Sequence, residues 1–171
     1  MIRIKYKCGR TRKNCAPSFG GPTVVTITQA LSRHHKLCDS LFTECEAAAS
    51  EQRWDDVDAC HARFCSALDA HLAAEESLLF PALEALTGLQ GGPTQVMREE
   101  HAQMRGVLER MTQAASRRQH QDYADFGEML LILMQQHNLK EENILYPMCD
   151  RSLATRSDEL GTRLEEVLTP P

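Results

Sequence analysis

Three features of the 171-residue sequence predict an all-α fold, an up-down-up-down four-helix bundle followed by a short C-terminal helix. Aromatic residues are scarce at 5% while Leu, Ala, Glu, Gln and Met abound, which favours helices over the β-branched and aromatic mixture of strands. Apolar residues recur at helical spacing in four long segments joined by short connections. A motif in the second segment also returns 66 positions later in the fourth, as two similar helical hairpins would produce.

Residues 1 to 22 carry six Lys or Arg and no acid, lack an apolar period and end in Gly20-Gly21-Pro22. They read as a flexible basic arm, with the bundle domain spanning residues 23 to 171. The first helix is predicted from Ile27 to about Ala49, with Leu31, Cys38, Leu41, Phe42 and Cys45 recurring along one face. A second runs from about Trp54 to Leu86 and turns Phe64, Leu68, Leu72, Leu79 and Leu83 inward. Gly88 and Gly91-Gly92 break it, and Pro93 suits the first turn of a third helix that continues to about Ser116. The fourth covers roughly Tyr123 to Cys149, and Ser157-Asp158-Glu159 supplies an N-cap and acidic first turn for the last helix, which ends before Pro170.

The formal charge of -5 hides an asymmetry, since the arm is basic and the rest of the chain carries about -11. An acidic body argues against nucleic-acid binding. The most apolar run, Met129 to Met134, is far shorter than the roughly 20 residues of a membrane-spanning helix. The basic start leads into polar sequence instead of an apolar stretch with a cleavage site, and seven cysteines without a CxxC pair read as reduced thiols. A cytoplasmic protein that engages neither membrane nor nucleic acid is expected.

The repeat carries the chemistry. HLAAEESLLFP at 71–81 matches HNLKEENILYP at 137–147, and the same offset takes His35 in helix one to His101 in helix three. Residues four apart on a helix share a face, so His71 with Glu75 and His137 with Glu141 each form a two-donor clamp. Adding His35 and His101 yields six candidate metal ligands on four helices, with two imidazoles per metal and two carboxylates able to bridge. Imidazole and carboxylate without thiolate suit iron or manganese better than structural zinc, and iron is the expected metal. Two nitrogens, two bridging oxygens and a shared hydroxide or oxide leave each of two ions a position open to a small ligand.

The segments HHKLCDSLF, HLAAEESLLFPAL, EEHAQMR and HNLKEENILYPM, together with the spacing between them, resemble hemerythrin-like, or HHE cation-binding, domains over about residues 26 to 153. The resemblance implies the same six ligands, His35, His71, Glu75, His101, His137 and Glu141, around two iron ions. Members with five histidines carry a second ligating histidine on the third helix, but one turn from His101 stand Met97 and Arg105. That departure moves the chain toward the four-histidine, two-glutamate variants associated with iron or oxygen sensing and with nitric oxide stress.

Other residues draw plainer readings. His35 is favoured over the adjacent His34, which points about 100° away. Glu76 and Glu142 suit a solvated face or an outer hydrogen bond. His61 and His120 are read as surface residues, and Cys38 as a small buried thiol. Met97, Met104, Met129 and Met134 are read as core filling, with Leu68, Met104 and Met134 the expected apolar lining beside the open position. Tyr146, which replaces Phe80 in the second repeat, is expected to reach the surface in preference to donating to a metal-bound oxygen. The first functional expectation is a non-haem diiron protein that binds dioxygen, nitric oxide or iron itself as sensor, store or donor. The alternatives are an enzyme that reduces or detoxifies dioxygen, peroxide or nitric oxide at the same ions, and a purely structural metal bundle.

Overall fold

The computed structural model describes residues 25–88 and 91–169; the expected basic arm lies outside them. The helices are α1 (Ile27–Ser50), α2 (Trp54–Ala74), α3 (Phe80–Thr87), α4 (Pro93–Ser116), α5 (His120–Lys140), α6 (Tyr146–Ser152) and α7 (Ser157–Leu168). Thr26 opens α1 with a reciprocal capping box to Gln29, satisfying two backbone donors that a helix start leaves unpaired. Gly88 ends α3 in the left-handed conformation (φ 68°) that a side chain would strain. α1 pairs with α2 and α4 with α5 as antiparallel hairpins, while α2 meets α4 and α1 meets α5, so the bundle closes. All-α architecture and the bundle agree with the sequence expectation.

The second and fourth helices are each interrupted once. Glu75–Leu79 and Glu141–Leu145 form single π-helical turns, in which the Phe80 N–H bonds to Glu75 and the Tyr146 N–H to Glu141, five residues back. Pro81 and Pro147 account for them, since a proline has no N–H to donate and its ring crowds the carbonyl four residues earlier. Widening one turn absorbs both defects and keeps the helical path continuous. Smaller departures follow at the ends: α5 begins at His120 and not in the region of Tyr123, and the N-cap of α7 is Arg156, with Ser157 already helical. The Ser157 hydroxyl instead donates to Asp150, which also accepts from the backbone N–H of Ile27 at 3.0 Å and from the Thr28 hydroxyl at 2.6 Å. One carboxylate thereby ties the start of α1 to α6 and α7.

Two apolar clusters fill the interior. The first gathers Phe42, Cys45, Phe64, Leu68, Leu72, Met104, Met111, Tyr123, Leu130 and Met134, and the second gathers Ile27, Leu31, Leu79, Phe80, Leu83, Met97, Leu145, Tyr146, Leu160 and Leu164. His35, His71, His101 and His137 occupy sequence positions between members of the two clusters on all four long helices, so a polar layer separates them. Met97, Met104 and Met134 are core residues as expected, but Met129 is 45% exposed because it lies on the outward side of α5. Among the described residues Cys38, Cys45, Cys60, Cys65 and Cys149 are free thiols, and no helix is long and apolar enough to cross a membrane.

Candidate metal centre

Four helices each contribute an imidazole to the polar layer, and the two π turns begin with its carboxylates. His35, His71, His101, His137, Glu75 and Glu141 are all buried. The donor atoms of Glu75, His101, His137 and Glu141 lie within 4.8 Å of one another, and so do those of His35, His71 and Glu141. Glu141 belongs to both groups. Its Oε2 is 3.3 Å from His35 Nε2 and its Oε1 is 3.1 Å from His137 Nε2, while Glu75 Oε2 lies 3.3 Å from His101 Nε2 and 3.7 Å from His71 Nε2. The structure therefore brings together all six residues singled out from the repeat.

A ring of outer carboxylates orients three of the imidazoles. Glu142 accepts from His35 Nδ1 at 2.8 Å, Glu76 from His101 Nδ1 at 2.7 Å and Glu100 from His137 Nδ1 at 2.9 Å. In the neutral ring, holding the proton on Nδ1 leaves the Nε2 lone pair directed at the centre. Arg105, one turn along α4 from His101, anchors Glu76 at 2.8 Å, and Lys140 pairs with Glu100. Of the two readings of Glu76 and Glu142, the outer hydrogen bond is the one realised. Glu100 escaped sequence reasoning, because it meets a histidine of the neighbouring helix and nothing in the α4 sequence identifies that partner.

Four buried polar atoms in the centre have no hydrogen-bond partner: His71 Nδ1, His71 Nε2, Glu75 Oε2 and Glu141 Oε1. Each such atom costs roughly 1–3 kcal/mol when left unmet, and more when charged. The ionisation pattern shows the same tension. Burial, and then the neighbouring Glu141, push the Glu75 carboxyl up to about 7. Burial acts in the same direction on Glu141, but the close approach of His137 and His35 outweighs it and holds that carboxyl well below the usual range. Burial would lower His137, yet Glu141 and Glu100 prevail and raise it to about 9. His71, deeply buried and facing the positive His35, is driven well below its ordinary value.

Tyr146 corrects the sequence reading. It is fully buried, and its hydroxyl sits 2.6 Å from Glu75 Oε1, 2.7 Å from Glu141 Oε2 and 3.2 Å from His35 Nε2. A phenol has one hydrogen, so at any moment it donates to one of the two carboxylates, Glu75 or Glu141. In a regular helix a residue five positions on is turned about 140° away; in the π turn it returns above the first, which is what carries Tyr146 onto Glu141. His61 is also buried and not on the surface, with Nε2 2.9 Å from the Thr112 hydroxyl and Nδ1 3.3 Å from that of Tyr123. Its place in the apolar stripe with Phe64 and Leu68 was the available signal. His120, also read as a surface residue, is half-buried in the first turn of α5. Neither belongs to the centre.

A family model described as the hemerythrin HHE cation binding domain matches residues 26–149. No curated protein and no solved structure matches the chain.

Proposed function

Because the chain belongs to the hemerythrin HHE cation-binding domain family, we propose that its six convergent side chains hold two iron ions and present them to a small diatomic ligand, dioxygen or nitric oxide. The observation that carries this reading is the buried, uncompensated donor set: unpaired oxygens and nitrogens on His71, Glu75 and Glu141 that cations would satisfy. Two groups of donors sharing Glu141 suit a bridged pair better than one ion. Nitrogen and oxygen donors without thiolate fit iron. When bound, the pair supplies two adjacent redox-active centres with coordination positions that protein does not fill.

The remaining chemistry belongs to the chain. Glu142, Glu76 and Glu100 hold protons on the outer nitrogens of His35, His101 and His137, fixing the tautomer that turns Nε2 inward. Tyr146 keeps a proton at its hydroxyl between the two shared carboxylates, since burial and then those carboxylates push its ionisation well above the ordinary range. The flanking apolar clusters keep bulk water from the layer and favour a diatomic over a large polar substrate.

Anaerobic loading with ferrous iron is expected to saturate at about two ions per chain, as the two donor groups imply. Titration with nitric oxide should then produce a visible absorption change that saturates with metal content and is lost in His71→Ala. A single tetrahedral zinc in protein grown with ample iron, or no response to either gas, would overturn the proposal. A second reading, an enzyme that reduces or detoxifies the same ligands, draws on the proton held by Tyr146. Continuous consumption of ligand in the presence of a reductant, suppressed in Tyr146→Phe with metal retained, would favour it over binding alone.

A further inference from the structure

The two halves of the centre are not equivalent, and the repeat shows where they part. The 66-residue offset pairs His35 with His101, His71 with His137, Glu75 with Glu141 and Glu76 with Glu142. Applied to Glu100, the carboxylate that orients His137, the same offset lands on His34. A histidine thus stands where the symmetry of the bundle calls for an acid. His71, the counterpart of His137, is left with a buried Nδ1 that has no hydrogen-bond partner. His34 instead lies parallel to the His71 ring, centroids 5.3 Å apart, and turns its own Nδ1 toward Cys38 Sγ at 3.7 Å.

Three further observations distinguish the same half. On the His101 and His137 side both outer carboxylates are themselves anchored, Glu76 by Arg105 and Glu100 by Lys140. The His35 and His71 side has only Glu142, whose side chain is 41% exposed against 26% for Glu76 and 20% for Glu100. Surface clefts also reach that side. One of about 640 Å³ between α1, α2 and the end of α7 is lined by His34, and another of about 580 Å³ between α1 and α5 is lined by His35 and Glu142.

Resting on the diiron reading above, we propose that the metal held by His35 and His71 is exchangeable while that held by His101 and His137 is resident, with His34 as the residue that sets the difference. An outer carboxylate strengthens an imidazole as a donor and fixes its ring, and its loss lowers metal affinity about 10–100-fold. His34 cannot replace it: the ring is stacked instead of hydrogen-bonded. The arrangement suits a protein that delivers or exchanges one ion of the pair, or that carries two different metals, without dismantling the centre.

Release from the fully loaded full-length protein into excess coloured iron chelator, followed by stopped flow, tests this. Wild type should lose its two ions in phases of equal amplitude, at least tenfold apart in rate. His34→Glu restores the missing carboxylate and should slow the faster phase toward the slower one. Glu100→Gln should speed the slower phase and leave the faster unchanged. Circular dichroism and metal content before mixing identify a variant that fails to fold, in which case the other variant decides. Both ions leaving wild type in one phase, or a faster phase unmoved by His34→Glu and a slower one unmoved by Glu100→Gln, would overturn the inference alone. Loading that never exceeds one ion per chain would overturn the diiron reading and this inference with it.

Discussion

Glu141 is the side chain on which both donor groups meet, facing His35 with one oxygen and His137 with the other. Glu141→Gln replaces an anionic bridge by a neutral amide and is expected to remove at least one of the two ions, measured as metal content after gel filtration. Glu76→Gln keeps every inward-facing donor and is expected to weaken binding about 10–100-fold while the stoichiometry survives at saturating metal. Equal loss in the two variants would show that the register chosen along the glutamate pair is wrong. The pH dependence follows from the ion-free centre, where His137 holds its proton up to about 9 and Glu75 up to about 7. A metal must displace both protons, and also the one that Glu141 and Glu142 help His35 to hold. Apparent affinity should therefore fall as the pH drops from about 9 to 7, and fall more steeply below 7. Competition with a metal indicator across that range checks it, and a flat profile would mean that no proton is displaced.

At the scale of elements, the π turns decide more than their five residues suggest. Periodicity identified the helices and their inward faces, but a regular helix places Tyr146 away from Glu141. Only the widening before Pro147 returns it. The prolines were visible in the sequence; their effect was not, because a proline can kink, end or widen a helix depending on what the neighbouring helices will pack against. α7 makes a different kind of junction. A Cβ built on Gly161 would fall 1.9 Å from the Val25 carbonyl oxygen, so this helix docks on backbone where no side chain fits. Gly161→Ala is expected to destabilise the protein by about 1–3 kcal/mol through overpacking. A melting temperature lowered by about 2–4 °C for each of those kcal/mol should follow, read by thermal circular dichroism. An unchanged melt would mean that α7 is free to shift.

Across the whole molecule, the polar layer is held between two apolar clusters, each built from several helices. Burial of these clusters does not depend on metal, so chelation should leave the helical content nearly intact. It should nevertheless lower the melting temperature, because an ion bound only by the folded state stabilises it by about 4 kcal/mol at a thousand times its dissociation constant. Far-ultraviolet circular dichroism and melting curves with and without chelator measure both quantities. Collapse of the helical signal on chelation would show that the clusters cannot hold the bundle alone.

Helix positions and the six convergent donors were legible in the sequence alone, because helical period is a property of residues within a turn or two and the repeat states the donor pattern twice. The tertiary structure decided the pairings that cross between helices. Glu100 reaches His137 from α4, Arg105 turns to Glu76, and His61 finds Thr112 and Tyr123 inside the bundle. Each depends on the rotation and axial offset of one helix against another, quantities that no single segment encodes. The same holds for Met129, apolar by composition yet turned to the outside of α5, and for His34, whose departure from the repeat acquires meaning only beside the unpartnered nitrogen of His71.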